Sequence, residues 1–231
     1  MAAGLDILLL DNHCLAVNKP AGIAAAHSPE GAPTLDREAR AYLKDRYHKP
    51  GNVFLGIVHR IDRPVSGVLL FARTSKAAAR LSLQFRRCEV EKTYIAVAEV
   101  HFPEQEHLLR HWLRKNERDR RVEASDEPQE GAKEAELSLS AVATANRQSL
   151  LILSPRTGRK HQIRTQLLAT GHPIIGDRRY GSHASFGQAI ALHAWRLAFH
   201  HPVSRQRVEL EAPLPEVWRE RFADLLKAWR P

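Results

Sequence analysis

The sequence predicts an α+β fold: a mixed but mainly antiparallel central sheet flanked by helices. Two observations lead there. Apolar runs with strand character outnumber stretches with helical spacing, and most connections between those runs are short and hairpin-like. No internal repeat is visible, and 231 residues are enough to bury a sizeable core, so the chain reads as one catalytic-sized domain over 1–231.

The elements follow in order. "LDILLLDNHCLAVNKPAG" places two apolar runs around Asp11-Asn12, the chemistry of a hairpin turn, and Pro20 with Gly22 breaks the second run, so Asn18 to Gly22 is a shaped loop. "TLDREARAYLKDRY" predicts a surface helix with Thr34 as N-cap and with Ala39, Tyr42 and Leu43 at helical spacing. "VFLGIV" and "VLLFA" read as strands on either side of the segment His59 to Val65. Ser75 is placed to cap "KAAARLSLQFRR", with Ala79, Leu83 and Phe85 near one face and Arg80, Arg86 and Arg87 on an ordinary solvated face. "KTYIAVAEVH", "AELSLSAVAT" and "SLLILSP" alternate as strands do. Between them, about 104–134 is dense in charge and poor in apolar residues after Trp112, which predicts a long excursion or ribbon with mobile loops. "TGRKHQIRTQLLATG" turns from a Gly-bearing loop into a helix that Arg159 and Lys160 enter and Gly171 terminates, with Arg164 one turn beyond Lys160 on the same face. "IALHAWRLAFHHP" and "RVELEAP" form a closing strand pair, and Pro215 opens a last amphipathic helix, "EVWRERFADLLKAW".

Lys and Arg number 35 against 26 Asp and Glu, a net charge of +9, which suits a polyanionic partner better than a neutral metabolite. Cys14 and Cys88 are far apart with no CxxC spacing, as expected of a reduced, cytoplasmic protein. The N-terminus has no basic n-region, and its apolar run Ile7 to Leu10 is too short for a signal core or a membrane span. A soluble, monomeric protein without a membrane partner is the expectation.

Three local patterns place polar groups where strand or helix periodicity breaks. Asp62 follows Arg60 and precedes Ser66-Gly67, Lys92-Thr93-Tyr94 opens a strand, and "RTGRKHQIR" runs from Arg156 to Arg164. A single acid among cations is held ionised. Asp62 is then a poor general acid but a competent nucleophile or electrostatic stabiliser, or else a structural salt bridge pinning a turn.

Taken together, these patterns resemble the RluA family of pseudouridine synthases. "HRIDRPVSGVLL" matches the family's signature loop, "KTYIA", "TGRKHQIR" and "GDRRYG" match its later elements, and "NKPAG" its early one, over about residues 5 to 211. The resemblance implies a pseudouridine synthase-like catalytic domain with its active site in a cleft. It also implies that Asp62 is the catalytic aspartate, that Arg164 pairs with it, and that Tyr94 packs on the uracil and takes part in proton removal. Arg60 matches a residue that fills the gap left by a flipped base. His59, Arg159, Lys160 and His161 are the remaining candidates for substrate contact, and Lys19 is read as structural or as an RNA-backbone contact. Val65, Gln166 and Val100 depart from common family residues without touching Asp62, Tyr94 or Arg164. The implied reaction breaks the N1–C1′ bond of uridine, turns the base and rejoins it through C5, with no cofactor and no metal. The implied substrate is RNA, either tRNA or rRNA. The chain begins almost directly with the catalytic pattern, so an S4-like module is not expected.

Other readings fare worse. Among the 13 histidines, His59, His161, His172 and His193 share no metal-ligand spacing and His200 and His201 are adjacent. A glycoside hydrolase needs two facing carboxylates, and the second would have to be Asp177, in a Gly-Asp turn of structural type. A non-catalytic RNA-binding protein or RNA chaperone on the same fold would have lost Asp62, Tyr94 or Arg164, and all three are present. Trp112 and Trp195 read as core residues.

Overall fold

The computed structural model describes residues 4–27, 32–103, 105–119 and 121–229. In chain order the elements are β1 (Ile7–Leu10), β2 (Cys14–Lys19), α1 (Leu35–Arg46), β3 (Gly56–Ile57), β4 (Ser66–Ala72), α2 (Ser75–Arg86) and β5 (Glu91–Ala98). They continue with β6 (Glu106–Asn116), β7 (Arg121–Ser125), β8 (Lys133–Ala145), β9 (Gln148–Pro155), α3 (Gln162–Ala169), a 3-10 turn (Arg178–Tyr180), β10 (Leu192–His200), β11 (Arg207–Glu211), α4 (Glu216–Arg221) and α5 (Ala223–Ala228). The sheet is mixed and mainly antiparallel, as the sequence predicts, with β1–β2, β2–β4, β3–β4, β10–β11, β5–β9, β9–β8, β8–β6 and β6–β7 all antiparallel. The chain divides into two compact units, residues 1–91 with 194–213, and residues 92–193 with 214–231.

The first unit orders its strands β1-β2-β4-β10, with β11 on β10 and β3 on β4. The β1–β2 hairpin closes as expected at Asp11-Asn12, where Asp11 Oδ1 accepts from the amides of His13 at 2.6 Å and Cys14 at 2.8 Å. Every residue of β4 is buried. Its side chains Val68, Leu70 and Ala72 pack with Cys14, Ala16, Leu81, Leu197, Phe199 and Leu210 in one apolar cluster. Gly67 lies at φ +116, and a Cβ there would meet the carbonyl oxygen of Ala194 at 2.2 Å, so this strand crossing admits glycine alone.

Both helices of this unit correct the sequence reading in detail. Thr34 is the N-cap of α1, but its hydroxyl donates to Asp36 Oδ1 at 2.6 Å. The amides of Leu35 and Asp36 are taken by the carbonyls of Ala24 and Ala25, so no side-chain cap is needed. In α2 the cap is Thr74 and not Ser75, with Thr74 Oγ1 accepting from Ala77 N at 3.2 Å. The buried face is Ala77 and Leu81, with Ala78 and Phe85 against it, while Leu83 is exposed. The helix holds three apolar i, i+4 pairs, Ala77–Leu81, Ala79–Leu83 and Leu81–Phe85, and the two that share Leu81 form the stripe that packs inward.

The second unit orders its strands β5-β9-β8-β6-β7. The predicted charged excursion is therefore part of the sheet: β6 sits between β7 and β8, with exposed Arg110 and Arg114 alternating with buried His111 and Leu113. Glu104 and Arg120 of that excursion lie outside the described residues. α3 begins at Gln162, after Arg159 and Lys160, and ends as predicted at Gly171, φ +80. The final helix is broken in two at Phe222, a buried residue that packs with Trp218 and Phe186. Among the described residues no helix is long and apolar enough to cross a membrane.

Candidate active site

In the first unit the segment His59 to Gly67 links β3 to β4. Residues 62–65 form a tight turn closed by Val65 N donating to Asp62 O at 3.1 Å. Asp62 is half-buried between buried Ile61 and Val65, and Arg60 and Arg63 are exposed. The loop after β2 ties to this turn from two directions: Gly22 N donates to Arg63 O at 2.8 Å, and Arg63 Nε donates to Gly22 O at 2.7 Å. Lys19 completes the tie. It is fully buried, and its ammonium donates to the carbonyls of Pro20 (2.8 Å), Ile23 (2.8 Å) and Arg63 (3.2 Å). Burial pushes Lys19 down to about 7, opposed by the nearby Asp62 carboxylate and assisted by Arg63. Of the two readings of Lys19, the structural one fits: a lysine spent on three carbonyls and shut from solvent does not reach an RNA backbone. "NKPAG" is the buttress of the Asp62 turn.

His59, expected at the substrate, also serves this turn. Its Nε2 accepts from Leu70 N at 2.9 Å, and its ring stacks on Phe85 at 4.6 Å and 15°. The bond from Leu70 makes Nε2 the unprotonated nitrogen.

In the second unit, Tyr94 is half-buried near the start of β5, opposite Leu153 of β9. Arg164 sits in α3, whose residues Gln162 to Leu167 are all buried. Its guanidinium makes a bidentate pair with Asp177, Nε to Oδ2 at 2.6 Å and Nη2 to Oδ1 at 2.8 Å, and the two side chains are only 7% and 2% exposed. Tyr180, 1% exposed, lies under the guanidinium at 4.7 Å, and its hydroxyl is 2.7 Å from His161 Nδ1 and accepts from Val122 N at 3.0 Å. Asp177 and Tyr180 belong to "GDRRYG", whose chemistry the sequence reading confined to a structural turn.

The loop before α3 corrects the expected geometry. His161 is the N-cap in a left-handed conformation, φ 52, so Lys160 lies off the helix and shares no face with Arg164. Arg159 and Lys160 are exposed, with Arg159 Nε donating to Glu134 O at 2.9 Å. Gln162 holds the loop in shape. Its Oε1 accepts from Thr157 Oγ1 at 2.7 Å and Arg159 N at 3.0 Å, and its Nε2 donates to Glu136 O at 2.9 Å. Lys92 donates to Thr157 O at 3.0 Å. Gln166, one of the departures from family usage, is fully buried and donates to the carbonyls of Leu109 and Ala135, each at 3.2 Å.

One group in the first unit has metal-like composition: ligand atoms of Asp11, Cys14 and His201 lie within 4.8 Å of one another. Their protonation does not suit a cation. His201 Nδ1 accepts from the amides of Val203 (3.3 Å) and Ser204 (3.0 Å), which leaves the ring proton on Nε2, facing Asp11 Oδ2 at 3.2 Å. Burial, with Asp11 adding to it, pushes the Cys14 thiol up to about 12.

Comparison with known proteins shows the family. A family model described as RNA pseudouridylate synthase matches residues 13–169, a span that includes the Asp62 turn, Tyr94 and Arg164. The chain is similar to tRNA pseudouridine synthase C of Pasteurella multocida, at 34% identity over 93% of each chain. It is also similar to ribosomal large subunit pseudouridine synthase C of Vibrio cholerae, at 36% identity over 90% of this chain and 65% of the relative. Among solved structures, human RNA pseudouridylate synthase domain containing 4 superposes with a TM-score of 0.79 at 21% identity, covering 95% of this chain and 92% of that one.

Proposed function

The chain belongs to the RNA pseudouridylate synthase family and is an isomerase that makes pseudouridine, and from that premise we propose that its substrate is a uridine in tRNA. The observation behind this choice is what the similar proteins are named: six relatives at 31–35% identity are named tRNA pseudouridine synthase C, and two at 35–36% are named ribosomal large subunit pseudouridine synthase C. We further take the whole chain as one catalytic domain, acting as a monomer in the cytoplasm.

In this reading Asp62 acts on the ribose, by attack on C1′ or by removal of the C2′ proton, as the N1–C1′ bond breaks. A backbone-held turn supports it, because a carboxylate fixed through main-chain bonds is already aimed before substrate arrives. Tyr94 stacks on the freed uracil and takes the C5 proton once the C5–C1′ bond has formed. Arg164 orients the catalytic carboxylate, and buried Ile61, Val65 and Val68 keep water from the intermediate. Arg60, exposed and adjacent to the turn, fills the space of the flipped base, and extruding that base costs a few kcal/mol, less in a loop than in a stem. Arg159, Lys160 and His161 contact the RNA. His59, seated on Leu70 and Phe85 just before the turn, joins them as a substrate contact.

Pseudouridine mapping of total RNA from cells with and without the gene tests the proposal. A tRNA uridine that loses modification in the deletion should regain it with wild-type protein and not with Asp62→Asn. Loss confined to ribosomal RNA would overturn the tRNA assignment, and full rescue by Asp62→Asn would overturn the role of Asp62.

A further inference from the structure

The Arg164 cluster has a residue at its centre that the reaction scheme does not use. Tyr180 is buried, and two elements meet on it: β7 through Val122 N, and α3 through both its N-cap, His161 Nδ1, and the Arg164 guanidinium over the ring.

Counting hydrogens decides how this cluster is wired. The Val122 amide has only a hydrogen to give, so the phenol oxygen is the acceptor in that bond. The phenol hydrogen, buried with its ring, needs an acceptor, and His161 Nδ1 at 2.7 Å offers one, an assignment that makes Nδ1 the unprotonated nitrogen and places the ring proton on Nε2. The ring of Tyr180 meanwhile faces the guanidinium at 4.7 Å while Asp177 takes its Nε and Nη2 edge. A planar cation seated on an aromatic face and clamped along one edge has little freedom to tilt or turn. His161 itself stands at φ 52, a conformation that L residues seldom hold without a tertiary tie, and the phenol is such a tie.

We propose that Tyr180 is a positioning residue of the isomerisation: it fixes the plane of Arg164 and the Nε2–H tautomer of His161, so that both present one geometry to the RNA. This rests on the reading of Arg164 and His161 as part of the catalytic and RNA-contacting machinery.

Two variants separate its parts. Tyr180→Phe keeps the ring under Arg164 and removes the hydroxyl, and Tyr180→Leu removes both. In the free protein at pH 8, the ¹⁵N signals of the His161 ring should report a single Nε2–H tautomer in the wild type and a mixture in Tyr180→Phe. On tRNA, kcat should fall about 10-fold in Tyr180→Phe and about 100-fold in Tyr180→Leu, with KM within about twofold in both, because misplacement of a catalytic group is felt in the chemical step. An unchanged tautomer in Tyr180→Phe would overturn the inference. So would a Tyr180→Phe enzyme that melts above the assay temperature and keeps wild-type kcat. The tautomer measurement needs no substrate, so a wild-type protein inactive on every RNA would overturn the functional reading and leave this one decided on its own terms.

Discussion

Asp62 stands half-exposed on a turn that is fastened through main-chain carbonyls and amides, whereas Arg164 is buried in a helix and fastened through other side chains. In its proposed role the acid meets ribose, and the fold anchors the backbone next to it, with Gly22 and the Lys19 ammonium both bonded to Arg63. The cation has the opposite difficulty. A buried guanidinium is costly unless its charge and its hydrogens are answered, and Asp177 does both at once. Backbone anchoring tolerates change in the side chains around it, while a charge pair depends on both members. Substitutions that remove one anchor from each region should therefore differ in size and in pH dependence.

The largest effect is expected at Asp177. Replacing it with Ala leaves the Arg164 charge buried and half answered, which should cost about 3–5 kcal/mol of folding stability. Denaturant unfolding at neutral pH checks this, and a loss under about 1 kcal/mol would mean that the pair is not what holds the cluster.

A smaller and pH-dependent effect is expected at Lys19. Its folded value is about 7 against an ordinary 10.5. Between those values the unfolded chain binds a proton that the folded chain lacks, so the Lys19 contribution to stability rises with pH above 7 and is lost as pH falls back through 7. The stability of the wild type relative to Lys19→Met should accordingly grow by about 2 kcal/mol between pH 7 and pH 9. A difference that stays flat over that range would show the ammonium to be ionised throughout.

The smallest structural effect belongs to the exposed pair before α3. Arg159→Ala and Lys160→Ala should each change stability by less than about 0.5 kcal/mol, yet each should flatten the salt dependence of RNA binding by about one in log-log slope. Single-turnover chemistry on saturating RNA should be nearly unchanged. Unaltered slopes for both would remove these residues from the RNA contact.

Much of this was legible in the chain. The Asp11-Asn12 hairpin, the β8 and β9 strands and the stop of α3 at Gly171 all follow from local turn and periodicity signals, which act between near neighbours and so survive in a one-dimensional reading. The membership of the Asp62 and Arg164 segments in one enzyme family was legible as well. What escaped were features decided by distant partners. Thr74 and Ser75 are both good caps, and only the entry path of the chain selects Thr74. Lys160 and Arg164 are four apart, but a left-handed His161 takes Lys160 off the helix. Asp177 lies 13 residues from Arg164 in another element, where no spacing rule connects them. A signal was nevertheless available: an arginine inside "QIRTQLLA", a helix with almost no charge, asks for a carboxylate, and "IIGD" offers one in an equally apolar setting.

The order in which the first unit is spelled out has a consequence for its synthesis. Its strand β4 ends at Ala72, but β10, which supplies Leu197 and Phe199 to the same apolar cluster, begins at Leu192. Between them come α2 of the same unit and then residues 92–193 of the second unit, whose strands β6 to β9 pair with near neighbours in the chain. At about 5–20 residues per second, the ribosome leaves β4 waiting on the order of 10 s for that partner. During this interval a strand that is apolar from Val68 to Ala72 and lacks its β10 partner is the most aggregation-prone stretch of the nascent chain, and chaperone demand during expression should centre on it.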